Sequence, residues 1–223
     1  MMRPAALALM LVLGSVPAAA QDPLTTIPEA YKVQFENDWV KVVRVHYAAG
    51  VKLPVHTHSP GTTAYVYLND SDGVVFRHEG GSSRAVTRPP VKAGSMRVAA
   101  GGSETHNAEN PAATPSDFLR VQFKTDAKGV RNLRRRIARD TAGAAPLVKE
   151  EYANAQMRIW RLIVRPGQST EIRTPDAQPA LLITLMSGQE RWIGAGQVEH
   201  VANNGTTPLE LIRISFLTAP VAD

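Results

Sequence analysis

The sequence predicts an all-β protein built from two similar domains, and two observations carry that prediction. The first is an internal repeat. Tyr31–Gly50 (YKVQFENDWVKVVRVHYAAG) lies over Val148–Gly167 (VKEEYANAQMRIWRLIVRPG) at an offset of 117, with Lys32 on Lys149, Phe35 on Tyr152, Asn37 on Asn154 and Arg44 on Arg161. Gly101–Asn110 lies over Ala195–Asn204 at an offset of 94, placing Gly102 on Gly196, His106 on His200 and Asn110 on Asn204. The second half has therefore lost about 23 residues between the two matches. The second observation is local. Runs such as TAYVYLND, GVVFRHE, SMRVAA, DFLRVQFK and LELIRISF are short, rich in Val, Tyr, Phe and Ile, and bounded by Gly, Pro, Asn and Asp. That pattern fits a sandwich or barrel and not alternating strands and helices.

Along the chain, residues 1–20 (MMRPAALALMLVLGSVPAAA) read as a signal peptide. Arg3 gives a positive start, Ala5 to Val16 an apolar stretch too short for a bilayer span, and Ala18-Ala19-Ala20 a small-residue cleavage signature. The expected location is periplasmic or secreted, with no membrane span. A lone Arg is not a twin-arginine pair, so export unfolded is expected, with any metal acquired afterwards. Residues 25–125 form the first domain, 126–147 a linker and 148–220 the second domain. The linker reads as helical, because Val130, Leu133 and Ile137 recur at helical spacing before Gly143 and Pro146. Its basic cluster (Lys128, Arg131, Arg134, Arg135, Arg136 and Arg139) reads as the solvated face of that helix.

Composition narrows the chemistry. With 223 residues, 43% hydrophobic and 20% charged, the chain is ordinary for a globular protein. It contains no Cys, which excludes disulfides, zinc ribbons, iron–sulfur clusters and thiol nucleophiles. A metal must be held by His and carboxylate. A formal charge of +5 without aromatics in the basic cluster does not point to nucleic acid.

Six histidines are present: His46, His56, His58, His78, His106 and His200. His56 and His58 flank Thr57, and two strand residues two apart share a face, so both imidazoles can reach one ion. His106 could close the site from another strand. Three His with an open position suit Zn²⁺ and, with a larger shell, other divalent metals. Around this cluster, Tyr65 and Tyr67 share a strand face and could donate a proton to a substrate. Glu104, two residues before His106, is the nearest candidate for a replacement carboxylate or general base. His78 is a candidate fourth ligand, and His46 reads as a surface or satisfied core residue.

Gly50-VKLPV-His56-Thr57-His58 and His106-NAE-Asn110 together resemble the two motifs of the cupin superfamily, with Gly94 and Gly102 near the family's glycine positions. Combined with the repeat, the chain resembles a bicupin: two cupin-type β-barrels (double-stranded β-helix, jelly-roll) joined by a short helical linker, the second degenerate. The resemblance implies one divalent ion (Zn, Mn, Fe, Cu or Ni) in the first barrel on His56, His58 and His106, and pairing into homodimers by strand exchange. The family's Glu ligand should fall at position 62 or 63, and both are Thr. An ion held by neutral imidazoles alone keeps its full charge, so the expected partner is a small-molecule substrate, with an anion favoured. The second barrel offers Arg173 and Pro175 against His56 and His58, leaving only His200. The resemblance favours a dioxygenase-like oxidoreductase. A metal-dependent hydrolase or isomerase, and a non-catalytic exported cupin that binds a small ligand or metal, stay open.

Overall fold

The computed structural model describes residues 22–79, 84–127, 130, 133–139 and 148–221. After a one-turn helix, α1 (Pro23–Thr26), the first domain runs through β1 (Tyr31–Glu36), β2 (Val40–Tyr47), β3 (Lys52–His58), β4 (Gly61–Tyr67), β5 (Val75–His78), β6 (Ala85–Thr87), β7 (Met96–Gly101), β8 (Glu104–Glu109), β9 (Ser116–Phe123) and β10 (Arg134–Ile137). The second runs through β11 (Val148–Ala153), β12 (Met157–Val164), β13 (Ser169–Arg173), β14 (Ala180–Thr184), β15 (Gln189–Ile193), β16 (Val198–Ala202) and β17 (Leu209–Phe216). Each domain folds as a large sheet over a small one. The orders are β1-β2-β9-β4-β7-β10 over β3-β8-β5-β6, then β11-β12-β17-β14-β15 over β13-β16. The repeat is therefore structural, and the shortfall in the second half is the β5–β6 hairpin, which has no counterpart between β14 and β15.

The central strands of the large sheets (β2, β9 and β4; β12, β17 and β14) are buried on both faces, which explains their long apolar runs. In the first domain Val43, Val45, Tyr65, Tyr67 and Phe118 point into the barrel. Their alternates Val42, Ala64, Val66, Leu119 and Val121 point out, into a core shared with Met157, Ile159, Leu181, Ile183, Ile212 and Ile214 of the second domain. Phe216 centres that seam, its ring 5.1 Å from Phe123, 5.4 Å from Trp192 and 6.1 Å from Trp39. Arg161, buried in the seam, donates to Glu151 and Glu210 at 2.9 Å each and to the Gly94 carbonyl at 2.6 Å. Gly94 has φ +80°, and a Cβ there would stand 3.1 Å from the Arg161 guanidinium, so glycine answers both constraints.

The linker corrects the helical expectation. Residues 134–137 form an edge strand, with Arg134, Arg135, Arg136 and Ile137 opposite Ala99, Val98, Arg97 and Met96 of β7. Leu133 and Ile137 are four apart, an even number, so the spacing that suggests a helix places both on one face of a strand equally well. Both pack against the shared core, and the Leu133 carbonyl accepts from Ala100 N. Lys128, Arg131 and residues 140–147 lie outside the described residues, as do residues 1–20, where a signal peptide is expected. Among the described residues no helix is long and apolar enough to cross a membrane.

One irregularity aims the histidines. β3 and β8 pair Leu53 with Ala108 but His56 with His106, so β3 carries one extra residue in between. Leu53 is buried, and so are His56 and His58: the bulge switches parity, and without it the His pair would face solvent. Pro54, which cannot donate to a ladder, sits at the bulge. The second domain has no such bulge. Ser169 pairs with Ala202 as Lys52 does with Glu109, but Ile172 then pairs with Glu199. Ile172 and Glu199 thus stand where His56 and His106 stand, not Arg173 and His200 as the sequence offset implies. His200 is exposed.

Two outcomes follow from these contacts. Phe216→Ala should cost about 3–5 kcal/mol by opening a cavity in the shared core, and urea unfolding of both domains should remain a single transition. Separate transitions would contradict a common core. Deleting Val55 should restore a regular ladder and turn His56 and His58 outward, so that diethyl pyrocarbonate, followed by peptide mass spectrometry, modifies both far faster than in the parent.

Candidate metal centre

Three strands of the small sheet bring the histidines together. β3 places His56 opposite His106 and His58 opposite Glu104, and β5 places His78 on the far side of His106. His56, His58 and His106 are 0%, 9% and 2% exposed. Their ring centroids lie 4.8–5.1 Å apart, and one nitrogen from each falls within 4.8 Å of the others. His78 packs its ring 5.2 Å from that of His106 but stands outside this group of nitrogens.

Hydrogen bonding defines the tautomer of His56. Its Nδ1 lies 2.9 Å from the Pro54 carbonyl, which can only accept, so Nδ1 carries the proton and Nε2 a lone pair. The Tyr31 hydroxyl, 3.0 Å from Nε2, therefore donates to it, and Tyr47, 2.6 Å from Tyr31, donates in turn. Burial, together with Tyr47, raises the Tyr31 hydroxyl well above its ordinary pKa, and burial lifts Tyr47 to about 12. Both stay protonated donors. Burial lowers all three imidazoles: a partial offset comes from the Pro54 carbonyl at His56, and a further push from Arg120 at His58 and from His56 and His78 at His106. The triad is thus three neutral rings.

His106 tests whether the residues suit a metal. Both of its ring nitrogens are buried without a partner. An unpaired buried polar group costs about 1–3 kcal/mol, and His56 and His58 supply two more imidazoles aimed at the same point. Three neutral imidazoles could bind a divalent ion, and such an ion would satisfy the lone pair that His106 leaves open.

The surroundings divide the other expected residues. A cavity of about 510 Å³ reaches His58 past Tyr31, Thr62, Thr63 and Arg120. A second, of about 340 Å³, is lined by His58, Tyr65, Glu104, Arg120 and Arg134. Tyr65 and Glu104 therefore share a cavity with His58. Glu104 leans toward Arg134 at 3.6 Å, and its carboxylate is not part of the imidazole group. Tyr67 packs on Phe118 at the other end of the barrel and lines neither cavity. Burial raises the Tyr65 hydroxyl, but Arg120, Arg97 and Arg88 outweigh it and hold it below the usual tyrosine value.

Two residues at the site were invisible to spacing arguments: Tyr31 and Arg120. Arg120 is 6% exposed and its guanidinium touches His58 Nδ1. Tyr31 opens the first strand of the repeat, where the second domain has Val148. That substitution of a hydroxyl-bearing ring for Val was the available signal. Asn110 organises the turn after the third histidine, donating to the carbonyls of Tyr47, Ala48 and Thr114 at 2.9–3.1 Å. Asn203, not Asn204, repeats the arrangement on Val164 and Thr207.

No protein-family model and no curated sequence matches the chain. Solved structures do. The bacterial pirin YhhW from Escherichia coli, in complex with nickel(II), superposes with a TM-score of 0.56 at 11% identity, over 86% of this chain and 91% of that one. A quercetin 2,3-dioxygenase from Acinetobacter baumannii gives 0.55 at 11% identity, over 85% and 73%. YhaK from Escherichia coli gives 0.51 at 12% identity, over 86% and 92%. At such identities the likeness is one of fold, and it agrees with the sheet order and the repeat: the chain shares the all-β, two-barrel architecture of these proteins, and its first barrel carries the imidazole cluster.

Proposed function

We propose that the chain is an exported bicupin that binds one divalent ion through His56, His58 and His106 and uses it in dioxygenase-like chemistry on a small molecule. The observation that carries the reading is His106, an imidazole sealed in the barrel with neither nitrogen satisfied, facing two others. The nickel(II) named for YhhW and the activity named for the quercetin dioxygenase add support, because both share this two-barrel frame. A bound ion supplies Lewis acidity and, where the metal is redox-active, a path for electrons between substrate and dioxygen.

The chain's own residues do the rest. The Pro54 carbonyl orients His56, as a partner behind a metal-binding imidazole does. Tyr31 and Tyr47 hold a proton at the mouth of the triad. Tyr65 and Glu104 line the way in, with Tyr65 placed to donate and Glu104 to accept. The absence of a carboxylate at Thr62 and Thr63 favours one second reading, a non-catalytic binder of metal or ligand.

Elemental analysis of untagged protein, purified after export without chelator, tests the proposal. About one equivalent of a single metal is expected, with His106→Ala lowering occupancy at least about tenfold. Full loading of His56→Ala/His58→Ala would sink it. With the loaded protein, dioxygen consumption on addition of candidate phenols and organic acids separates the enzyme from the binder.

A further inference from the structure

The first barrel holds more positive charge than its own residues neutralise. Arg97, Tyr65 and Arg120 lie side by side on β7, β4 and β9. The Arg97 guanidinium stacks on the Tyr65 ring at 3.8 Å, and its Nε and Nη2 are buried without partners. Arg120 likewise has a buried Nε without a partner. Among the described residues neither arginine pairs with a carboxylate. The acidic groups lining the two cavities are already engaged: Glu36 with Lys124 at 2.7 Å and Lys41 at 3.4 Å, Glu104 with Arg134 at 3.6 Å, and Asp22 on Leu24 N at 2.9 Å.

Arg120 also occupies His58. A guanidinium only donates, so His58 Nδ1 gives Arg120 its lone pair and, in a neutral ring, the proton sits on Nε2. Neither nitrogen of His58 then has a lone pair for an ion. Metal binding through His58 requires Arg120 to turn away from it. It also sets a doubly charged ion, held by uncharged ligands, beside a fixed cation in a low-dielectric interior. Both obstacles disappear if an outside anion gives Arg120 a new partner. A carboxylate suits the planar fork of the guanidinium better than a spherical ion does.

We propose that the first barrel takes its divalent ion together with a small organic carboxylate that engages Arg120, each ligand tightening the other. This rests on the metal reading above and gives it a substrate class: organic acids. Reciprocity follows from thermodynamics, because whatever factor the carboxylate applies to the metal, the metal applies to the carboxylate.

The test is calorimetric titration of the full-length mature protein with Ni²⁺, at constant ionic strength, in perchlorate, benzoate or inorganic phosphate. Benzoate should tighten Ni²⁺ binding about tenfold over perchlorate, and Ni²⁺ should tighten benzoate binding by the same factor. In Arg120→Gln, with folding checked by circular dichroism, Ni²⁺ should bind more tightly than in the parent without benzoate, and the benzoate effect should fall below about twofold. The titration of the parent protein decides the matter even if that variant fails to fold. Equal Ni²⁺ affinity in perchlorate and benzoate would overturn the linkage while leaving the metal site standing. Equal tightening by phosphate would overturn the assignment to a carboxylate. No Ni²⁺ uptake in any arm would overturn the metal reading itself.

Discussion

The structure depends on one apolar seam, the contact between the outer faces of the two large sheets. Because strand side chains alternate, committing Val42, Ala64, Val66, Leu119 and Val121 to that seam commits the residues between them to the barrel interior. Those residues include Tyr65 and Arg120. The seam thus sets which side chains the first barrel can present, and a shift of one residue in any of these strands would exchange core for site. Stability is concentrated there, around Phe216 and its aromatic neighbours, which frees the barrel interior to be polar.

That freedom is used chiefly in the first domain. The second barrel fills with Leu162, Val164, Ile172, Leu182, Ile193 and Val201, with Arg213, whose Nε is buried without a partner, as a polar exception. The first holds three neutral imidazoles, two hydrogen-bonded tyrosines and two arginines with unsatisfied nitrogens. Unpaired polar groups in a low-dielectric interior destabilise the fold, typically by about 1–3 kcal/mol each. A protein retains such a cost where a ligand offsets it, and here the orphaned groups include a lone pair on His106 and cationic donors on Arg97 and Arg120. The first calls for a cation, the second for an anion.

The sequence made the frame legible because repeats and strand patterns are local. The His-x-His pair and His106 were legible as a set for the same reason, and their convergence is what the register provides. Their direction was not. His56 and His58 face inward only through the bulge near Pro54, and an offset alignment that ignores it puts Arg173 in the place of His56; His200 is misplaced separately, by an offset one residue too long on β16. The linker failed differently, since a spacing of four satisfies a helix and a strand at once, and pairing with β7 decided between them. Arg120 and Tyr31 were hidden because each meets the histidines across sheets, a contact no spacing encodes.

The second barrel's losses form a consistent set. It lacks the β5–β6 hairpin, the bulge in its small sheet and the three imidazoles, yet it keeps counterparts of every large-sheet strand but β10, and the Asn203 turn. Everything retained serves the seam or the path of the chain into it. Everything missing belongs to the wall that, in the first barrel, encloses the histidines. A second copy whose task is to cover the first copy's sheet needs one apolar face and a folded back, and a two-stranded small sheet over a largely apolar interior supplies both. The imidazole cluster therefore belongs to the first half alone, while both halves build the seam. Substitutions in the second barrel should act on the site only through the seam, by moving the strands that carry Tyr65 and Arg120.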